Sequence, residues 1–306
     1  MKRRSFLKSA GTMSLAAPAI LTGISSAPAR TATGSPRLDI TWLGGATMLI
    51  ECSDLTLLTD PAFGEGEEAF RMGDPNEMFD LATGPDVVAH KRLTPFRGVD
   101  LSRVDQVLLS HLHEDHFDQT AESAIDPDMP FLVPSHDRER LTAKGFTQVQ
   151  VADWMKPHVI TKGDVTLSLT ALPAEHSENP EIASLLGPGN GYWLEIRQGD
   201  WAKSVYWTGD TFPTPNVLDA LKGFGSPDVF IPHLGGVGTS GPLGQISMGA
   251  NHAADFVDKL RPGKVLPIHH STYALYLEPV TGLPTALAGK TQGLDLVSEG
   301  TCVSYV

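Results

Sequence analysis

The stretch VDQVLLSHLHEDHFD (residues 104–118) runs from an apolar, strand-like segment straight into three histidines and three acidic residues within nine positions. Unpaired polar groups at the edge of a core cost roughly 2 to 7 kcal/mol each, so this segment needs a compensating partner. A metal ion supplies one: neutral imidazole and carboxylate suit zinc, manganese or iron. Side chains alternate along an extended backbone, so His111 and His113 are expected on one face, with Asp115 and His116 on the turn after them.

Three other strand-like runs end the same way. VTLSLTALPAE (165–175) stops at His176, KSVYWTG (203–209) at Asp210 and KVLPI (264–268) at His269 and His270. Three protein donors plus water is the usual catalytic arrangement around one ion. The seven donors His111, His113, Asp115, His116, His176, Asp210 and His269 therefore suffice for two divalent ions, most simply zinc, with manganese or iron as alternatives. Asp210, with two oxygens, suits a bridge between ions about 3.5 to 4 Å apart. His270 competes with His269 for the last position.

The rest of the chain sets the context. Its 306 residues are 41% hydrophobic and 19% charged, with a formal net charge of −13. That acidic balance disfavours nucleic acid, whose binding draws on Lys and Arg against phosphate. A small-molecule substrate is expected instead. At the N-terminus, KRRSFLK (2–8), a short apolar run broken by Gly11, Pro18 and Gly23, and Ala27-Pro28-Ala29 read as a leader with a cleavage site. It resembles a twin-arginine export signal, so residues 1–29 are expected to be a signal peptide, 30–37 a linker and 38–306 the folded domain, periplasmic or secreted with no stable membrane anchor. Of the two cysteines, Cys52 and Cys302, both lie in strand-like stretches and are expected as buried thiols rather than a bridge.

From Leu38 onward, β-branched and aromatic runs between Gly, Pro and Asp predict about a dozen strands. Helices are expected after Ser135 (136–144), after Thr214 with Pro215 at the first helical position, and after Ser247 (248–260). Strands outnumbering helices in this order point to an α/β fold of sheets covered by helices. Residues 63–98, rich in Gly, Pro and acid, show no period and read as a lid or a surface excursion.

The chain resembles the metallo-β-lactamase superfamily over about 38–305. TWLGGATMLIE (41–51) is similar to its opening hairpin, LTDP (58–61) to the next strand, and VLLSHLHEDHFD (107–118) to its H-x-H-x-D-H signature. PAEHS (173–177), YWTGDT (206–211) and VLPIHHSTY (265–273) resemble its third histidine, bridging aspartate and last histidine motifs. HKRLTPF (90–96) and PIHHSTY (267–273) are most similar to the branch of N-acyl-phosphatidylethanolamine phospholipase D and ascorbate-phosphate lactonase. The resemblance implies a four-layer αβ/βα sandwich. It implies one metal on His111, His113 and His176 and a second on Asp115, His116 and His269, bridged by Asp210. Gly45 stands where the pattern carries histidine, His233 where an apolar residue is commoner, and 177–190 lacks a tryptophan often found there.

The implied chemistry is hydrolysis of a phosphodiester, ester or lactone by metal-activated water. Asp115 and Asp210 are the candidate catalytic groups that orient this water and relay its proton, and His233 is the candidate substrate contact. Antibiotic hydrolysis is disfavoured by Asp210, and a flavodiiron protein would carry glutamate at 113. Lys91, Arg92 and Arg97 are the only basic group near the motifs: facing the metals they would favour an anionic substrate, turned away a neutral one. The alternative is a non-catalytic periplasmic metal-binding or scaffolding protein of the same fold.

Overall fold

The computed structural model describes residues 35–290 and 293–306. The leader and most of the linker read from the sequence lie outside the described residues. In chain order the strands are β1 (Leu38–Gly44), β2 (Thr47–Cys52), β3 (Leu55–Thr59), β4 (Phe70–Gly73), β5 (Val87–His90), β6 (Gln106–Leu108), β7 (Phe131–Val133) and β8 (Val149–Val151). Next come β9 (Pro157–Lys162), β10 (Val165–Ala174), β11 (Gly189–Gln198), β12 (Trp201–Trp207), β13 (Val229–Ile231), β14 (Lys264–Val265) and β15 (Cys302–Tyr305). The helices are α1 (Gln119–Ala124), α2 (Arg138–Ala143), α3 (Pro180–Leu186), α4 (Pro215–Leu221), α5 (Ala250–Leu260) and α6 (Leu283–Ala286).

Two sheets form the body, one in the order β15-β1-β2-β3-β6-β7-β8 and the other β14-β13-β12-β11-β10-β9. Period-two alternation decides how they pack. Leu167, Leu169, Tyr192, Leu194 and Val205 turn inward to meet Ile40, Met48, Ile50 and Leu57 of the first sheet. Trp193, Tyr206 and Phe230 turn outward under α4, α5 and α6. On the other side Val107, Leu109, Phe131 and Val133 pack beneath Ala121 of α1 and Leu141 of α2. Layers of helix, sheet, sheet and helix result, the α/β sandwich expected. Because both faces of the central strands are covered, they read as continuous apolar runs.

Strand direction, more than layering, gathers the polar residues. β3, β6, β7 and β8 are parallel, as are β12, β13 and β14. β10 and β12 are each antiparallel to β11 and so point the same way. The C-terminal ends of β3, β6, β10, β12, β13 and β14 carry Asp60, His111, His176, Asp210, His233 and His269 within four residues.

Some expectations need correction. Thr214 caps α4 as read, its Oγ1 accepting the Val217 amide. Ser135 does not cap α2, whose first turn starts at Asp137. Ser247 does not cap α5 either: Gly249 does, and the Ser247 hydroxyl accepts the Val237 amide instead. Residues 63–98 are not structureless. They form the β4–β5 hairpin, and Asn76 fastens the loop between its strands by donating to Leu275 O (3.0 Å) and accepting from Gly238 N (2.7 Å). Strand β9 and helices α1, α3 and α6 form where the sequence pattern predicts no element. Cys52 is buried as expected, whereas Cys302 is exposed, on a strand separated from β2 by β1. No helix among the described residues is long and apolar enough to cross a membrane.

Candidate metal centre

Five of the six strand-end side chains are fully or nearly fully buried histidine or aspartate, and Asp210 is 7% exposed. Two donor groups form. His111, His113 and His176 present ligand-capable atoms within 4.8 Å of one another, as do His116, Asp210, His233 and His269. The groups adjoin, since the His111 and His116 ring centroids are 4.0 Å apart. Asp115 joins the second group, its Oδ2 lying 3.3 Å from His269 Nε2 and 3.9 Å from His116 Nε2.

Three of the rings are turned by a hydrogen bond on the far nitrogen, which decides which nitrogen faces the centre. His269 Nδ1 donates to Leu234 O at 2.8 Å. His116 Nδ1 donates to Asp60 Oδ2 at 2.8 Å. Ser110 donates its hydroxyl to Asp60 Oδ2 at 2.5 Å, and therefore accepts from His111 Nδ1 at 3.0 Å. The inner nitrogens His111 Nε2 and His116 Nε2 are left buried without a hydrogen-bond partner. Buried ring nitrogens left without partners and facing other histidines and carboxylates fit divalent metal ions. His111, His113 and His176 would hold one, and Asp115, His116 and His269 a second, with Asp210 between them.

Asp60 is the functional residue that sequence reasoning missed. Its one signal was LTDP, a carboxylate at the end of an apolar strand. The parallel pairing of β3 with β6 brings it beside Ser110, whose amide it accepts at 2.7 Å.

His233, the candidate substrate contact, sits within the second donor group. It is fully buried, and its Nε2 accepts the Trp207 indole N–H at 2.6 Å. An indole nitrogen only donates. The proton of His233 is therefore on Nδ1, which donates to Asp210 Oδ1 at 2.9 Å. Both nitrogens are thus engaged, one by Trp207 and the other by Asp210, and the ring holds the aspartate. Of His269 and His270, the first joins the second donor group. His269 occupies left-handed backbone at φ +60 and turns inward, while His270 packs its ring 4.6 Å from Trp42 and contacts Ser271 Oγ at 3.0 Å. Holding a non-glycine residue there costs of order 1–3 kcal/mol. His90, His136, His158 and His252 stay outside both groups.

The basic group turns away. Arg92 is buried, donating to Leu43 O, Thr94 O and Glu299. Glu299 also receives the Thr272 hydroxyl at 2.6 Å, which in turn accepts the Gly45 amide at 2.7 Å. Lys91 is half-exposed and paired with Glu67, and Arg97 is exposed.

The two donor groups titrate differently. Burial lowers His111 well below the usual imidazole range, with His116, His113 and His176 adding to it, and lowers His176 to about 3. Burial likewise lowers His113. His116 behaves oppositely: burial opposes its charge, but Asp210, Asp115 and Asp60 outweigh this and raise it well above the usual value. His269 is raised in the same way, chiefly by Asp210 and Asp115 against burial. Burial would raise Asp115, yet His116 and His269 bring it down to about 2. Asp210 falls well below the carboxylate range, burial again being overcome by His269 and His116.

The first group is thus already deprotonated at neutral pH, whereas the second binds metal only by releasing protons. Apparent affinity there falls about tenfold per pH unit for each proton displaced. Dialysis from pH 7.5 to 5.5 is expected to strip the second metal first and leave the first in place. Metal analysis across that range checks it, and simultaneous loss of both would contradict the asymmetry. For the metal-free protein the signs are fixed by linkage. Raised His116 and His269 add stability below the unfolded imidazole pKa that is lost as pH climbs through their folded values. Depressed His176 subtracts stability as pH falls from there toward about 3.

Residues 78–270, more than half of the chain, match the family described as beta-lactamase superfamily domain. The chain belongs to the metallo-β-lactamase superfamily. A metal-dependent hydrolase of Salinibacter ruber is 27% identical over 240 residues, covering 77% of this chain and 86% of that one. An N-acyl-phosphatidylethanolamine-hydrolyzing phospholipase D of Caenorhabditis elegans is 28% identical over 145 residues, 45% of this chain and 37% of that one. Among solved structures, a possible metal-dependent hydrolase from Veillonella parvula superposes with a TM-score of 0.68 at 22% identity, over 87% of this chain and 99% of that one. The histidine signature, Asp210 and His269 of this chain follow the C-terminal ends of strands from both sheets.

Proposed function

We propose that this metal-dependent hydrolase works with a dinuclear centre on a neutral ester or lactone. The observation that carries the dinuclear reading is the pair of adjoining donor groups with Asp210 reaching both His116 Nε2 (3.3 Å) and His269 Nε2 (3.7 Å) in the second. Divalent ions bound there supply an activated water at neutral pH and Lewis-acid polarisation of the scissile carbonyl. Asp115 and Asp210 remain carboxylates at neutral pH, so either would accept a hydrogen bond from the attacking water and orient it, and one of them would relay its single proton. Ser110 is tied to Asp60 and His111 and does not act as a nucleophile.

The neutral substrate is favoured by the basic residues. Arg92 spends its donors on the fold, and Lys91 and Arg97 face solvent. Arg140, beside His113, donates to Asp137 Oδ1 and Leu112 O, so a phosphodiester would leave its charge chiefly to the metals. Purified protein is expected to carry about two metal equivalents per chain and to turn over lactones or aryl esters at least tenfold faster than bis-p-nitrophenyl phosphate. A preference for the phosphodiester would overturn the neutral-substrate reading. Full metal loading with no turnover on either panel would favour the non-catalytic alternative.

A further inference from the structure

Tyr276 stands beside the second donor group with its hydroxyl unused. Its ring packs on His269 at a centroid distance of 4.4 Å, and Tyr273 meets it edge-on at 5.5 Å. The Tyr276 hydroxyl oxygen is buried and has no hydrogen-bond partner. Tyr273 differs, because its oxygen accepts Arg92 Nη1 at 3.4 Å. Leaving a buried hydroxyl unpaired is costly, so one that persists calls for a partner that arrives later. Tyr206 also has an unpaired hydroxyl, but it lies in the core under α5, away from any donor group.

The surroundings are shaped to admit this ring. A Cβ at Gly45 would come within 2.9 Å of Tyr273 Cε2 and 3.5 Å of the Tyr276 hydroxyl; one at Gly235 would come within 3.1 Å of Tyr276 Cδ1. Both glycines have positive φ, +54 and +112, where a side chain is strained in any case. The same Gly45 accepts the His269 amide through its carbonyl at 2.9 Å. Loop and ring are therefore placed together.

We propose that Tyr276 is a catalytic residue whose hydroxyl donates a hydrogen bond to the carbonyl oxygen of the bound ester or lactone as negative charge develops there. The proton stays on the phenol; no bond to Tyr276 forms or breaks. A preorganised donor at a developing oxyanion acts on the transition state more than on the bound substrate. This role rests on the substrate being an ester or lactone, and the test separates the two.

The test compares Tyr276→Phe with the wild-type holoenzyme. The variant keeps the ring against His269, so metal content and melting temperature are expected to match. Turnover is expected to fall about 100-fold, the scale of losing one oxyanion donor, with KM within about threefold. In a second arm, acetohydroxamate is titrated into cobalt-substituted protein and followed by the visible spectrum. Binding is expected to weaken about tenfold in the variant, the worth of one charge-assisted hydrogen bond. Equal turnover and equal hydroxamate affinity in the two proteins would overturn the proposal. So would a variant whose lost activity merely tracks lost metal. If the wild type hydrolyses no ester or lactone, the substrate reading fails, and the hydroxamate arm still decides the role of Tyr276.

Discussion

Asp210→Ala is expected to lower turnover by at least about a thousandfold, corresponding to about 4 kcal/mol of transition-state stabilisation. It is also expected to retain about one metal equivalent where the wild type holds about two. The reason is concentrated in one carboxylate. Asp210 approaches His116 at 3.3 Å and His269 at 3.7 Å, and takes the His233 hydrogen bond at 2.9 Å. It is also the strongest of the charges that raise both His116 and His269 against burial. Without it the second group keeps two imidazoles and Asp115, while His111, His113 and His176 keep their own mutual geometry. The first metal should therefore survive and the second should not. Asp210→Asn separates charge from shape, since its side-chain oxygen can still accept from His233. Its metal content should lie between the two, with turnover nearer the alanine variant. Because the strands that frame the site are packed by apolar side chains on both faces, circular dichroism should be unchanged. Wild-type turnover in Asp210→Ala would remove the bridging role and the dinuclear reading with it.

How much of the site was legible in the sequence depends on whether the information was local. His111, His113, His176, Asp210 and His269 each announce themselves by closing an apolar run, and their convergence results from strands that share a direction. The layer order came from the same runs, because a strand apolar on both faces must be covered on both. What could not be read was set by contact across long separations or by backbone angle. Asp60 meets His116 across 56 residues through a parallel pairing that no spacing rule encodes. Nothing local in the sequence pairs His233 with Trp207, on the neighbouring parallel strand, whose indole reaches its ring. The sequence favours His269 over His270 through the resemblance alone; a left-handed turn turns the first ring to the centre and the other to Trp42. Ser247 looked like a cap by composition and was taken by a competing amide from the 235–238 loop. The β4–β5 hairpin was hidden by the acidic, Gly-rich chain around it; Phe70, stacked on His90 and edge-on to Tyr273, is the anchor.

Asp60→Ala should show that a carboxylate with no place among the ligands still governs the metal centre. The side chain is fully buried and accepts three hydrogen bonds, from the Ser110 amide (2.7 Å), the Ser110 hydroxyl (2.5 Å) and His116 Nδ1 (2.8 Å). Burial raises its own pKa despite His116 and Ser110. The sign is informative: a carboxyl raised on folding takes up a proton as pH falls through its folded value. Its ionised form thus subtracts stability at neutral pH rather than adding it. Asp60 is therefore kept for what it orients. Removing it alone strands its buried donors, including a titratable imidazole, which costs about 3–5 kcal/mol. For a domain of this size that lowers the melting temperature by roughly 10 °C. The metal effect should be separable from the stability loss. With His116 no longer held through Nδ1, the second metal should weaken by about 10–100-fold, while the first, bounded by His113 and His176, should weaken less. Chelator competition on the folded variant at 20 °C reads this directly. A variant that melts earlier yet binds both metals as tightly as the wild type would mean that packing alone, and not the Asp60–His116 hydrogen bond, sets the angle of the ring.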